Sequence, residues 1–181
     1  MSDQLAVLKQ VAARLDAARI PYMLTGSLAA GVYGQPRMTR DIDLVAVLYP
    51  PHAQRLPGVL GTEFVIDVET AHDAIAARRI FSVIHRDALQ KVDIIVREDS
   101  DYEIEKFERR RQVEVDGQAI WVIAPEDLVL SKLVWAKDSR SEMQLRDVRG
   151  IIALQAGLDW PYIEQWARRL TVARLLAEVQ S

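Results

Sequence analysis

Residues 41–48, DIDLVAVL, constrain this chain more than any other segment. They open on an alternation of acidic and aliphatic side chains at residues 41–44, continue aliphatic and are rich in β-branched residues, which reads as a strand. Strand side chains repeat every second residue, so Asp41 and Asp43 share one face while Ile42 and Leu44 share the other. The aliphatic face needs a core to cover it. The acidic face needs an open site, because neighbouring carboxylates repel unless one is protonated or a cation lies between them. A hard divalent cation such as magnesium suits an all-oxygen site, with waters and phosphate oxygens completing its shell. The plainer reading is a solvated strand edge, and the sequence around this strand favours the metal.

Composition limits the other chemistries. The chain of 181 residues has no cysteine, which excludes disulfides, thiol nucleophiles and thiolate-bound zinc. Its histidines, His52, His72 and His85, show no metal-ligand spacing, so a zinc hydrolase is excluded as well. Acidic residues number 26 against 23 basic ones, for a formal net charge of -3, so the whole chain carries no basic footprint for nucleic acid, although a local patch remains open. Half of the residues are hydrophobic, enough for a packed core rather than a disordered chain. The N-terminal segment is charged throughout, and no run approaches the roughly 18 apolar residues that would span a bilayer. The expectation is a cytoplasmic protein without membrane segments.

The remaining pattern divides the chain in two. A helix is expected from Ser2 or Asp3, capping at one of them and ending before Pro21. A short strand follows at residues 22–25, then Gly26-Ser27 and a short helix through LAAGVYG. Past the acidic strand, PPHAQRLPGVLG reads as turn-rich with at most a helical turn, EFVIDVE as a weak strand and AHDAIAARR as a helix. RIFSVIH and KVDIIV read as a hairpin, DYEIEKFERR as charged helix or irregular chain, and RQVEVDGQAIWVIA as a second hairpin turning at Asp116-Gly117. From Pro125 the periodicity is helical to the end. Residues 1–124 are therefore an α+β core and residues 125–181 a helical region, expected to pack on that core as one compact unit because so short a tail makes a marginal core by itself.

Gly26-Ser27 lies where a strand meets a helix. Glycine allows close backbone approach, the helix N-terminus offers free N–H groups, and the Ser27 hydroxyl adds a donor, which together suit a phosphate. The plainer reading is a turn and helix cap, which uses the same geometry. In KVDIIV, Asp93 shares a face with Lys91 and Ile95, opposite Val92, Ile94 and Val96. If this strand neighbours residues 41–48, Asp93 joins Asp41 and Asp43. Otherwise Asp93 is a strand acid paired with Lys91 or Arg86.

A Gly-Ser pair, a spacer, an Asp-x-Asp strand and a later strand Asp together resemble the nucleotidyltransferase superfamily with the polymerase-β-like fold. Across residues 22–155, including RIFSVIHRDALQKVDIIV, FERRR and APEDLVLSKLVWAKDSRSEMQLRDVRGII, the chain is similar to AbiE-type toxin nucleotidyltransferases. The resemblance implies a mixed sheet flanked by helices with a C-terminal helical bundle packed on it. It implies that Gly26 and Ser27 hold nucleotide phosphates, that Asp41, Asp43 and Asp93 hold two magnesium ions, and that Asp93 is also the general base. The implied activity moves a nucleoside monophosphate from an NTP to a hydroxyl on tRNA, protein or a small molecule. It carries with it a toxin–antitoxin or defence setting and an antitoxin-like partner. The alternative is a non-catalytic antitoxin or nucleotide-binding module on the same fold. Against it stands the intact set of three aspartates, like charges that a pure scaffold has no reason to keep together.

Periodicity singles out a further pair. Lys132 and Asp147 each fall inside the apolar arc of consecutive helices. They make either a structural ion pair or, by resemblance, a lysine that reaches a triphosphate oxygen with Asp147 positioning it. Arg37 and Arg40 flank the acidic strand, and either neutralise a triphosphate or offset the aspartates. Asp67 and Glu69 are expected at the surface, with a place as extra acids near the site as the alternative. Arg109, Arg110 and Arg111 are expected on a solvated face balancing Glu103, Glu105 and Glu108, with RNA contact as the alternative. Trp121, Trp135, Trp160 and Trp166 are expected to pack the helical tail on the sheet.

Overall fold

The computed structural model describes residues 3–139 and 141–180, the side chain of Asp138 excepted. Ser2, expected as a helix cap, lies outside the described residues; Asp3 is the first residue of the first helix.

Among the described residues there are nine helices and seven strands. Helix α1 (Asp3–Ala17) buries the stripe Val7, Leu8, Val11, Ala12 and Leu15. Strand β1 (Tyr22–Thr25) is buried along its whole length and runs into α2 (Gly26–Tyr33). Strand β2 (Asp41–Ala46) precedes α3 (Pro50–Leu60), the short β3 (Phe64–Val65) and α4 (Val68–Ala76). The hairpin β4 (Ile80–His85) and β5 (Gln90–Val96) is followed by α5 (Asp101–Glu108), then by the hairpin β6 (Arg111–Val115) and β7 (Gln118–Val122). Helices α6 (Pro125–Ser139), α7 (Glu142–Leu154), α8 (Trp160–Arg169) and α9 (Ala173–Gln180) complete the chain.

All the strands join one mixed sheet in the order β3-β4-β5-β2-β1-β7-β6. Strand β2 lies antiparallel to β1 and parallel to β5. Its Ile42, Leu44 and Ala46 are buried in the core, and Val92, Ile94 and Val96 do the same on β5. Helix α2 packs on β1 and β2, and its far side meets α6 and α7. The approach to α7 is close at Gly34, where an added Cβ would stand 3.2 Å from the Ile151 amide nitrogen.

Several expectations need correction. PPHAQRLPGVLG is a full helix. Pro50 and Pro51 start it, where a missing N–H costs nothing, and Tyr49 with His52 caps it. Pro57 sits in its interior, an unusual place for proline, and makes the segment read as turns. EFVIDVE keeps only the two-residue β3, because Asp67 accepts hydrogen bonds from the Glu69 and Thr70 amides and starts α4.

The run Arg109–Arg110–Arg111 is neither a solvated face nor a free basic patch. Arg109 Nε bonds Asp127 at 3.0 Å, and Arg111 Nη2 bonds Glu126 at 3.2 Å. The Arg110 guanidinium stacks on Phe107 and Trp121. The tryptophans do not form a layer against the sheet: Trp166 stacks on Tyr102 of α5, and Trp135 is 62% exposed.

Candidate active site

The sheet register builds the acidic site. Asp43 on β2 pairs with Asp93 on β5, and Asp93 pairs with Ser82 on β4. One step along the same face, Asp41 pairs with Lys91 and Lys91 with Ile84. One step the other way, Val45 pairs with Ile95 and Ile95 with Ile80. An acid row therefore runs across β2 and β5 with an aliphatic row beside it.

Gly26 opens the other side. Its φ of +67 is in the left-handed region, and a Cβ there would overlap the Asp43 carboxylate and stand 2.9 Å from the Asp43 Cβ. Any larger residue would be strained and would clash, so glycine is what brings the start of α2 against the acid row. Thr25, at the N-cap of α2, makes no side-chain cap, so the first amides of the helix face the site without a protein side chain.

One cavity of about 580 Å³ is lined by Gly26, Ser27, Asp41, Asp43, Asp93 and Lys132, the residues expected from sequence. Asp147 lies behind it and holds Lys132 Nζ at 2.8 Å, with Gln144 Oε1 at 2.9 Å. Arg37 Nε reaches the same Asp147 carboxylate at 3.2 Å, and its Nη2 donates to Ser27 Oγ. One buried carboxylate thus gathers two cations at the N-terminal end of α2. Lys132 is only 4% exposed. Burial pushes its ammonium pKa down, Arg37 adds to that, and the bond to Asp147 opposes it. Arg40 is exposed and absent from the cavity lining; its carbonyl accepts from the Gln90 side chain.

The acids are unequally satisfied. Lys91 Nζ lies 2.8 Å from Asp93 Oδ2 and 3.4 Å from Asp41 Oδ1. Ser82 Oγ donates to Asp93 Oδ1 at 2.6 Å. Bonding to Asp93 raises the Lys91 pKa. Asp43 has no hydrogen bond or ion pair among the described residues; its carboxyl pKa is raised by burial first, then by the charges of Asp93 and Asp41. Among the described residues no three acidic or imidazole side chains are placed to hold a metal ion together, and Asp41 and Asp93 are engaged by Lys91 and Ser82. The donor set still fits a hard cation: it is all oxygen, in register on adjacent strands, and one member lacks a counter-charge.

Sequence reasoning missed Ser82 and Gln144 and weighed Lys91 only as a partner for Asp93. Ser82 had a signal, as a polar residue on the outward face of an alternating strand. Gln144 had a weaker one, a helical turn before Asp147.

No protein-family model matches this chain, and no curated protein sequence does. Solved structures do resemble it. An antigenic nucleotidyltransferase-like protein from Paracoccidioides brasiliensis aligns with 96% of this chain and 90% of its own at 18% identity and a TM-score of 0.61. ANT(2")-Ia in complex with adenylyl-2"-tobramycin aligns with 94% and 98% at 14% identity and a TM-score of 0.56. The lincosamide antibiotic adenylyltransferase LnuA, lincomycin-bound, aligns with 83% and 97% at 13% identity and a TM-score of 0.55. At these identities the likeness is one of fold. The chain has a nucleotidyltransferase fold, with no AbiE-type branch singled out. No described helix is long and apolar enough to cross a membrane.

Proposed function

We propose that the protein is a metal-dependent nucleotidyltransferase. The observation that carries this reading is Asp43, a half-buried carboxylate without a partner among the described residues, set between two more carboxylates and an uncapped helix N-terminus. A fold with no ligand gains nothing from that arrangement.

In this reading the amides at the start of α2, Ser27 and Lys132 hold the triphosphate, with Arg37 and Asp147 fixing Ser27 and Lys132. Asp41, Asp43 and Asp93 would hold two magnesium ions. Bound there, the ions would neutralise phosphate charge and make the acceptor hydroxyl more acidic. Lys91 has to release Asp41 and Asp93 first. Ser82 keeps one oxygen of Asp93 fixed, leaving the other to take a proton. The acceptor oxygen then forms a bond to the α-phosphorus, its proton passes to Asp93, the bond from the α-phosphorus to the bridging oxygen breaks, and pyrophosphate leaves.

The setting is proposed as cytoplasmic, where NTPs are abundant. A toxin–antitoxin or defence role with an antitoxin-like partner rests on the AbiE-type resemblance alone. The test is incubation with magnesium, α-labelled NTPs and cell extract. Label should pass to an acceptor with wild-type protein and fail to pass with Asp41→Asn or Asp43→Asn. Labelling that survives both substitutions refutes the mechanism. Nucleotide binding without any labelling would favour the non-catalytic binding module.

A further inference from the structure

The cavity extends beyond the acid row, and its outer half bears on the acceptor, given the transferase reading above. Displacement at phosphorus is in line, so acceptor and leaving pyrophosphate stand on opposite sides of the α-phosphorus. The phosphate cradle at Ser27 begins where β1 ends, on one side of β2. Asp93 is on β5, on the other side of β2, and β4 lies further out again. The acceptor must therefore approach over β5 and β4.

The surface there has a definite character. Ile95 follows Asp93 by two residues on the same face, and Ile80 on β4 pairs with Ile95. With Val45 they form an aliphatic shelf in the cavity, and Ile80 is 53% exposed. Besides Lys132, two cations line the cavity, and both are committed. Arg78 bonds Asp99 at 2.6 Å and the carbonyls of Leu48 and Arg97. Lys106 is paired with Glu103. Glu98 also lines the cavity here, and it has no hydrogen bond or ion pair among the described residues. Among the cavity-lining residues the charge left without a partner here is thus negative, and the floor beneath it is apolar.

We propose that the acceptor is a small hydroxylated molecule with an apolar face and a cationic nitrogen, rather than a polynucleotide. Its apolar face lies on Ile95 and Ile80, its nitrogen pairs with Glu98, and its hydroxyl reaches Asp93. A polyanion would meet an unpaired carboxylate, and Lys91, the cation that metal binding would free on β5, stands outside the cavity lining.

The test divides a cell extract into macromolecules and small molecules by ultrafiltration, and the small molecules by retention on a cation exchanger. Each pool is incubated with wild-type protein, magnesium and α-labelled NTPs, with Asp43→Asn as the control. Label should appear in the retained, cationic small molecules. Label confined to RNA, to protein or to unretained small molecules overturns the proposed acceptor but leaves nucleotidyl transfer standing. No Asp43-dependent label in any pool defeats the transferase reading itself. With the labelled pool as acceptor, Ile80→Asn and Glu98→Gln should each raise the acceptor KM roughly tenfold, the scale of one lost contact, with the nucleotide Kd unchanged. A weakened nucleotide Kd with an unchanged acceptor KM would show that the shelf holds the nucleobase, and would overturn the proposal.

Discussion

At the scale of single residues, the site carries repulsion that folding alone does not relieve. Burial and the charges of Asp93 and Asp41 raise the Asp43 pKa. The folded chain therefore keeps this proton to a higher pH than the unfolded chain does. Metal-free stability should fall as pH rises from the ordinary carboxylate pKa through the raised one, then level off. Asp43→Asn should remove that loss. Thermal unfolding in chelator at neutral pH should show a higher Tm for the variant, by about 2–4 °C for each kcal/mol of repulsion removed. An equal or lower Tm would contradict this. Gly26, Ser27, Asp41, Asp43 and Asp93 were legible in the sequence because strand alternation and a glycine before a helix are local signals. Lys132 and Asp147 were legible as a buried pair from helical periodicity. That Asp147 also takes Arg37, and that Arg37 rather than Arg40 meets Ser27, was not legible, because it depends on where a loop returns to α7.

At the scale of elements, the hairpins followed from sequence and the arginine run did not. Asp116 and Gly117 turn the β6–β7 hairpin with φ values of 48 and 78, as the Asp-Gly pair predicts. Glu126 and Asp127 read as ordinary first-turn acids of α6, yet they are almost fully buried. Arg109 and Arg111 come to them from the end of α5 and the start of β6, and the Tyr162 hydroxyl donates to Asp127 at 2.6 Å. No local pattern announces a partnership between elements that meet only in the tertiary fold. Removing one side of such a buried pair leaves an uncompensated charge. Arg109→Ala should cost about 3–5 kcal/mol in urea unfolding. A loss under about 1 kcal/mol would mean that Asp127 is satisfied without it.

At the scale of the whole molecule, the sequence separated an α+β part from a helical part but could not order the sheet. The parallel pairing of β2 with β5, which unites the aspartates, joins strands far apart in sequence and leaves no short-range trace. The two parts share the candidate site: Ser27 and Arg37 come from one, Lys132 and Asp147 from the other. We propose that residues 1–124 and 125–181 form one cooperative unit. Ile123 bonds the Leu24 carbonyl at 2.9 Å, which ties the lead into α6 directly to β1. Urea transitions followed by tryptophan fluorescence and by far-ultraviolet circular dichroism should coincide; two separated transitions would show independent units. The most direct measurement on the joined site is calorimetric titration of ATP into the protein with magnesium and with chelator. Binding should require magnesium in the wild type and should lose that dependence, with most of its affinity, in Asp43→Asn. Equal affinity in chelator, or an unchanged affinity in Asp43→Asn, would contradict a nucleotide site built on the acid row.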